Sequence, residues 1–369
     1  MSRRVRASLL APLVLFLASC AKDAPLDSLD PAGPRAKSID DLQNPVFAIA
    51  GVVFLAVNLG VLFLAWKFKR RKDDHTLPHQ THGNTKLELG WTILPALLLA
   101  GIGGASVLTL LDLEEKPDDS MQVTVVGQQW WWEYQYDVDG DGETDITTAN
   151  DLVIPAGRNI DLDIESRDVI HSFWIPRLNG KRDAVPGRSH PLQMSADEPG
   201  VYRGQCTEFC GLSHGYMRMR VVALEPSEFE AWQDAQLDGA EMPTDELALE
   251  GREIFRTTCS SCHLVEGEGG NEDLFEGSAQ VSGAAPNLTH FMSRGTFAGA
   301  VFDLWTDIDG NGEVDIDEHG DTLNEAQLKA WLRDPPAEKP MYAPTRGMPN
   351  LELSEAQIDA LVAYLETLE

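Results

Sequence analysis

The chain has 369 residues, with 29 Lys and Arg against 59 Asp and Glu, which gives a formal net charge of −30. This length predicts two or three domains. The excess of acid excludes a protein that grips nucleic acid, whose phosphates it would repel, and favours a basic protein partner. Hydrophobic residues at 43% and charged residues at 24% are ordinary for a folded chain, which excludes disorder of the whole molecule.

Residues 1–20 have the pattern of a secretory signal peptide. Three arginines precede an apolar run from Leu9 to Leu17. The segment ends in Leu17-Ala18-Ser19-Cys20, which resembles a bacterial lipobox, so Cys20 is expected to carry lipid and to begin the mature chain. Cleavage by the general signal peptidase, with Cys20 incidental, is the alternative.

Two apolar segments, Val46–Trp66 and Trp91–Leu111, lack charged residues and are each long enough to cross a bilayer. The cationic cluster 67–72 between them places their connection in the cytoplasm. We therefore predict a linker at 21–45 and a two-helix membrane hairpin at 46–111. The protein would lie in the bacterial inner membrane, with the rest of the chain on the periplasmic face. A buried helix pair in a soluble protein is the alternative.

Residues 112–224 have the pattern of a β domain. Short runs rich in β-formers, such as Gln122–Val126, Leu152–Ile154 and Asn159–Ile164, are separated by Gly, Pro, Asn and Asp. The last of these runs alternates polar and apolar residues, as a half-buried strand does. The pattern predicts an antiparallel sandwich or barrel.

Four soft or imidazole ligands stand within 12 residues near the end of this domain: Cys206, Cys210, His214 and Met217. Thiolate and imidazole together select copper, and a weak Met ligand recurs in electron-transfer copper sites. One copper needs a single thiolate, so the second cysteine indicates either two bridged metal ions or a disulfide, which an oxidising compartment permits. His171, on a predicted strand, offers a further imidazole.

The C-x-E-x-C-G-x-x-H-x-x-M loop resembles that of subunit II of the haem–copper oxygen reductases, in its cytochrome c oxidase form. The similarity extends over residues 88–95, 127–132 and 183–188. It implies an all-β cupredoxin-like domain with a dinuclear copper A centre. The implied ligands are two bridging thiolates, one imidazole for each copper, and a thioether and a carbonyl as weak outer ligands: Cys206, Cys210, His171, His214, Met217 and Glu208.

The same resemblance implies four roles around the copper centre. The Glu208 carboxylate would help to bind magnesium at the contact with subunit I, and Asp168 would tune the centre. Trp130 would be the surface aromatic that receives an electron from cytochrome c, and Glu88 would stand at the mouth of a proton pathway into subunit I. The alternatives are that Trp130 fills the core and that Glu88 is a helix-start acid favoured by the helix dipole.

A polar linker at 225–246, with a short helix around Phe229 and Trp232, leads to a third domain at 247–369. Cys259-Ser260-Ser261-Cys262-His263 is a c-type haem attachment motif, in which two thiols bind the haem vinyl groups and the imidazole binds iron. A thioredoxin-like dithiol is the alternative, but the expected βαβ context is missing.

The third domain resembles the small cytochromes c, which implies an all-α class I cytochrome c fold. Met348 is the expected second axial ligand of the iron, because it precedes a last helix; Met341 and Met292 are the alternatives. That helix is predicted to begin with a capping box at Ser354 and Gln357. Its apolar residues fall on one face: Ile358, Leu361, Tyr364 and Leu365.

Two acidic segments resemble calcium-binding loops. The segment 307–318 fits the calcium-loop pattern, with oxygen ligands expected from Asp307, Asp309, Asn311 and Glu318. A solvated acidic loop is the alternative. The segment 137–142 lacks the final Glu, so it is a weaker candidate and also reads as a Gly-rich hairpin turn.

The resemblance thus implies the electron-transfer subunit II of a caa3-type cytochrome c oxidase. Electrons would pass from a basic donor, such as cytochrome c or a bc1-type complex, through the fused haem and copper A to subunit I, which reduces oxygen and pumps protons. Partners would be subunit I, other oxidase subunits and the membrane. A copper-A subunit of a nitric oxide reductase, or a stand-alone redox or metal-binding lipoprotein, is the alternative; a quinol oxidase subunit is disfavoured, since that branch lacks these copper ligands.

Overall fold

A computed structural model describes residues 24–69, 79–80, 82–266, 285–306, 322–342 and 345–369. The chain forms a long helical hairpin, a β domain and a mainly helical C-terminal domain. Cys20 and the predicted calcium loop at 307–318 lie outside the described residues.

The hairpin consists of α1 (Pro34–Lys67) and α2 (Thr85–Leu113), both long and apolar enough to cross a membrane. No residue in the apolar window of either helix is buried by the rest of the protein. Such bare apolar surface fits a bilayer and contradicts the alternative of a buried helix pair. Asn84 caps α2, since its side chain accepts from the backbone N–H groups of Lys86 and Leu87 at 3.1 and 3.3 Å.

Helix α1 begins at Pro34, inside the segment predicted as a linker. Proline suits a first helical turn because its missing N–H would have no partner there. The start of α1 is bonded to the β domain, with Ala32 donating to the Arg177 carbonyl at 2.7 Å and Ala36 to the Leu178 carbonyl at 3.2 Å. The hairpin is therefore anchored on the β domain through the start of α1.

The β domain contains two main sheets. The first has five strands in the order β3-β2-β1-β5-β8, and the second has three in the order β4-β10-β9. The strands are β1 (Met121–Gln128), β2 (Trp131–Asp137), β3 (Ile146–Ala149), β4 (Asp151–Pro155), β5 (Ile160–Ser166), β6 (His171–Phe173), β7 (Arg182–Ala184), β8 (His190–Met194), β9 (Gly200–Gln205) and β10 (Arg218–Leu224).

The predicted antiparallel arrangement is wrong for two strand pairs. Strand β1 pairs with β5, and β4 with β10, in parallel. Both pairs join strands that are distant in sequence, and alternation within a strand does not encode the direction of its partner. Strand β6, which carries His171, pairs antiparallel with β7.

An aromatic core fills the β domain. Trp132 and Phe173 are both fully buried, and their rings meet edge to face at 5.3 Å between centroids. Helix α3 (Pro226–Leu237) covers one end of this core, with its Trp232 ring 5.4 Å from that of Tyr136. The first half of the predicted linker at 225–246 thus packs on the β domain.

The C-terminal domain contains α4 (Glu246–Ile254), a π-type turn (Phe255–Cys259), β11 (Thr296–Phe297), β12 (Phe302–Asp303), α5 (Glu325–Arg333), α6 (Pro335–Glu338) and α7 (Glu355–Leu365). Helices α4 and α7 touch closely at Gly251, where a side chain would collide with the Ala360 carbonyl. The predicted capping box of Ser354 and Gln357 is confirmed. The predicted apolar face of α7 is also confirmed as buried: Ile358, Leu361, Tyr364 and Leu365.

Candidate functional site: two redox centres

Two thiols form the middle of the first site. Cys206 lies just after β9, and Cys210 lies four residues later in the loop before β10. Their sulfurs are 3.8 Å apart, and both residues are buried. The sulfurs are not joined as a disulfide. This spacing presents two soft donors to the same small volume, as bridging thiolates require.

An imidazole stands beside each sulfur. The Nδ1 atom of His171 is 4.0 Å from the Cys206 sulfur, and the Nδ1 atom of His214 is 3.6 Å from the Cys210 sulfur. His171, Cys206 and Cys210 place their ligand atoms within 4.8 Å of one another. Strand β6 delivers His171 from a part of the chain that is 35 residues away in sequence.

Asp168 fixes the orientation of the His171 ring. The Nε2 atom of His171 lies 2.8 Å from the Asp168 carboxylate, so its N–H donates there and Nδ1 keeps a free lone pair toward the sulfurs. Burial alone would raise the pKa of Asp168, but the bonds from His171 and from the backbone of Gln129 and Val169 lower it. Asp168 therefore stays a carboxylate that holds one tautomer of the ring.

Two weaker donors complete the set. The Met217 sulfur is 3.8 Å from the Cys210 sulfur, and the Glu208 carbonyl oxygen is 3.4 Å from the Cys206 sulfur. The six groups thus fall into two halves, one around each cysteine, and the structure brings all of the predicted copper ligands together. Their softness and burial fit copper. Without metal, the Cys210 thiol donates to the Cys206 sulfur, which lowers the pKa of Cys206 and raises the pKa of Cys210.

Trp130 connects directly to this centre. Its indole N–H donates to the Cys210 carbonyl at 3.0 Å, and the Gln129 side chain donates to the same oxygen at 2.7 Å. The resemblance implied a surface aromatic, but Trp130 is only 3% exposed because residues of the C-terminal domain cover it. Sequence reasoning missed Gln129 as a partner, although it adjoins the tryptophan.

The second site is the haem attachment motif. Cys259 ends the π-type turn and is half-buried, whereas Cys262 is exposed. Neither forms a disulfide. Burial and, to a smaller extent, the neighbouring Cys262 raise the pKa of Cys259 to about 11, so this thiol is neutral at ordinary pH. Two free thiols on one turn suit thioether bonds to a haem.

Two residues near His263 were not predicted. His263 Nδ1 lies 2.8 Å from the Pro286 carbonyl, so its N–H donates there and Nε2 is left to bind iron. Burial lowers the pKa of His263, the bond to Pro286 opposes this, and the nearby Arg294 lowers it further, so the ring is neutral. Arg294 is buried, and its Nε has no hydrogen-bond partner among the described residues. The Nη2 atom of Arg294 donates to the Asn287 carbonyl, whereas the unpaired Nε N–H of this buried cation suits a haem carboxylate.

The three candidate methionines lie in different places. Met348 packs against the core of the C-terminal domain, as does Cys259. Met341 packs instead against the core of the β domain. Met292 is a buried member of the C-terminal core, where its backbone N–H donates to the Leu368 carbonyl at 2.8 Å. These positions favour Met348 as the haem ligand, which stays a prediction.

Replacing Met348 by alanine is expected to remove the red absorbance band that Met–iron ligation gives ferric haem. The reduction potential should fall by an amount of the order of 0.1 V, within the range of about 0.8 V that axial ligands span. Visible spectra and redox titration of the purified holoprotein measure both effects. Met341→Ala is the matched control; loss of the band there, with the band intact in Met348→Ala, would reverse the assignment.

The remaining predicted residues lie apart from both centres. Glu88 is exposed in the first turn of α2. The loop between β2 and β3 brings carboxylate oxygens of Asp137, Asp139 and Asp145 within 4.8 Å. Backbone N–H groups of Gly140 and Gly142 already donate to Asp137, which fits the hairpin-turn alternative.

Comparisons with known proteins agree with this architecture. Residues 138–224 match the family "Cytochrome C oxidase subunit II, periplasmic domain", residues 23–108 match its transmembrane domain, and residues 248–369 match the cytochrome c family. Cytochrome c oxidase subunit 2 of Alkalihalophilus pseudofirmus is 33% identical, covering 97% of this chain and 95% of that protein. Its counterpart in Bacillus sp. (strain PS3) is also 33% identical, covering 98% and 96%.

Among solved structures, a crystal structure of the periplasmic domain of subunit II of cytochrome oxidase from Bradyrhizobium japonicum is 28% identical, covering 32% of this chain and 95% of that chain, with a TM-score of 0.30. The near full-length relatives and the three matched domains lead to one conclusion. The chain belongs to the cytochrome c oxidase subunit II family, as a member with a fused C-terminal cytochrome c domain, and is part of the oxidase enzyme complex.

Proposed function

We propose that this chain conducts electrons from its cytochrome domain to its cupredoxin domain and on to subunit I, for oxygen reduction coupled to proton pumping. One observation carries the proposal: two thiols, two imidazoles, a thioether and a carbonyl oxygen converge in the β domain, with neighbouring donors 3.4 to 4.0 Å apart. Bound copper A and covalent haem c would supply the one-electron chemistry.

The chain's own residues would hold these groups rigidly. Burial of Cys206, Cys210 and Met217 keeps water away from the thiolates. Asp168 and the Pro286 carbonyl each fix one imidazole tautomer, at His171 and His263. Rigid ligands favour fast electron transfer, because little has to move when the charge changes.

The contact with subunit I is proposed to surround the copper loop. Phe209 is 76% exposed, and Leu212 and Ile170 are also exposed on the segments that carry the ligands. Bare apolar side chains in one region indicate an interface with another protein. The exposed Glu208 carboxylate lies within this region and would help to bind magnesium there.

Several further assignments remain proposals. Glu88 would begin a proton pathway, and calcium would bind at the loop 307–318. The acidic outward domains would attract a basic donor such as cytochrome c or a bc1-type complex. We also propose the domain boundaries predicted from the sequence. The copper and haem domains are proposed to lie on the outer face of a bacterial inner membrane. The relatives are named cytochrome c oxidases, which favours oxygen over nitric oxide as final acceptor.

The test uses the complex that is purified from membranes with this chain as the bait. A photoexcited donor reduces the cytochrome domain, and absorbance follows haem oxidation, copper reduction and oxygen consumption. We expect the haem to be reoxidised while the near-infrared band of oxidised copper A bleaches, with subunit I co-purifying. Isolation of the chain without a haem–copper partner, or consumption of nitric oxide but not oxygen, would overturn the oxidase assignment.

A further inference from the structure

Resting on the function proposed above, we infer that the cytochrome domain is a fixed cap on the Trp130 face of the cupredoxin domain, held by Lys339 and by the Asp151–Arg220 pair. An external donor would then deliver electrons to the cytochrome domain and not to Trp130. Lys339 is proposed as a positioning residue for Trp130.

Lys339 joins the two domains next to Trp130. The Lys339 ammonium donates to the backbone carbonyl of Trp130 at 2.7 Å and to that of Ala298 at 2.8 Å. Lys339 is 4% exposed, and burial lowers its pKa to about 7. A buried amine is costly unless acceptors hold it, so these two carbonyls determine where this segment sits.

Tyr342 lies over the indole from the same segment. The rings of Trp130 and Tyr342 are 5.6 Å apart between centroids. Gly299 closes the other side, at a φ of +80°, where a Cβ atom would come 2.5 Å from the Trp130 carbonyl oxygen. The backbone N–H of Arg218 also donates to the Gly299 carbonyl at 3.0 Å. The cytochrome domain thus approaches Trp130 with backbone as well as side chains.

A second contact ties the domains at a buried carboxylate. Asp151 of β4 pairs with Arg220 of β10 through two bonds of 3.0 and 2.9 Å, and both residues are buried. The cytochrome domain adds three donors to the same carboxylate: the Gly295 N–H at 2.8 Å, the Thr296 N–H at 3.1 Å and the Thr296 hydroxyl at 2.6 Å. Charge-assisted bonds of this kind are the strong ones, and they fix orientation.

The Lys339 contact lies where an external cytochrome would have to reach Trp130. Because Lys339, Tyr342 and Gly299 occupy that face, a second protein cannot touch the indole without displacing the cap. The cupredoxin domain then has one electron donor at this face, which is covalently part of its own chain.

Hydrogen–deuterium exchange on the holo complex tests the cap itself. We expect the amides of Arg218, Gly295 and Thr296 to be protected, because their partners lie across the domain contact. Lys339→Met should raise exchange at these amides by about tenfold or more, as loss of two buried hydrogen bonds predicts. Lys329→Met is the matched control, since the ion pairs of Lys329 lie within the cytochrome domain.

The same variants are followed by flash reduction of the haem. Lys339→Met should slow reduction of the copper centre by about tenfold or more, with both potentials unchanged, while Lys329→Met has no effect. Tyr342→Ala changes an exposed residue and serves as the second variant if Lys339→Met does not fold. It should also raise amide exchange at Arg218, Gly295 and Thr296. Rapid exchange in the wild type, or an unchanged rate in Lys339→Met, would overturn the cap. Failure of wild-type haem to reduce copper would instead reject the proposed function.

Discussion

Serine in place of Cys206 is expected to abolish the dicopper centre and to lower copper affinity by more than about 100-fold, beyond the loss typical of a residue that only supports a ligand. A serine hydroxyl is a hard, protonated donor, and copper at such a site prefers a soft thiolate. Cys206 also links both halves of the site, since its sulfur lies near His171, the Glu208 carbonyl and Cys210. Its removal therefore disturbs more than one donor pair.

The measurements are copper content and the near-infrared absorbance of the mixed-valence centre in the purified complex. Thr207→Val is the matched control, because the buried Thr207 hydroxyl has no hydrogen-bond partner in the part of the chain that the structure describes. We expect the control to keep both copper and band, while haem content stays normal in both variants. Unaltered copper and spectrum in Cys206→Ser would refute the assignment of this cysteine.

Local spacing predicted the part of the copper site that one loop carries. Cys206, Cys210, His214 and Met217 are close in sequence, so a single turn after β9 is enough to bring their donors together. His171 is different, because its distance from Cys210 depends on how β6 and the loop pack. No periodicity within β6 encodes that packing. The residues alone offered His171 as a further imidazole on a strand, and the resemblance to a family made it a copper ligand.

Contacts between domains could not be predicted from local patterns. Trp130 looks like either a core residue or a surface aromatic in sequence, and the structure makes it a buried member of the β-domain core that a second domain also covers. Pro286 likewise gives no sequence signal as a partner of His263, because its carbonyl is a backbone group 23 residues away. The early start of α1 was missed because its first turns are polar and bond to the β domain.

Removing the carboxylate of Asp151 is expected to destabilise the cupredoxin domain strongly. Asp151→Ala should cost about 3–5 kcal/mol, because Arg220 would remain buried without its counter-ion. The Thr296 hydroxyl and the N–H groups of Gly295 and Thr296 would lose their acceptor as well. The measurement is the free energy of unfolding from urea titration of the detergent-solubilised protein.

Two further variants separate charge from packing. Asp163→Ala, at an exposed residue of β5, is the matched control and should change stability by at most about 0.5 kcal/mol. Asp151→Leu combined with Arg220→Met should recover most of the loss, since apolar residues of similar volume often replace a buried ion pair at no net cost. If the free energy of unfolding of Asp151→Ala lies within about 1 kcal/mol of the wild-type value, the prediction is contradicted.

The pH dependence gives an independent check. Burial would raise the pKa of Asp151, but Arg220, Thr296 and Gly295 lower it below its ordinary value of 3.8. An acid with a lowered folded pKa contributes its full stabilisation above the unfolded pKa and loses it as pH falls through the folded pKa. The difference in stability between wild type and Asp151→Ala should therefore be constant near neutrality and shrink only below about pH 4. A difference that shrinks nearer neutrality would show that another titrating group, and not this carboxylate, joins the two domains.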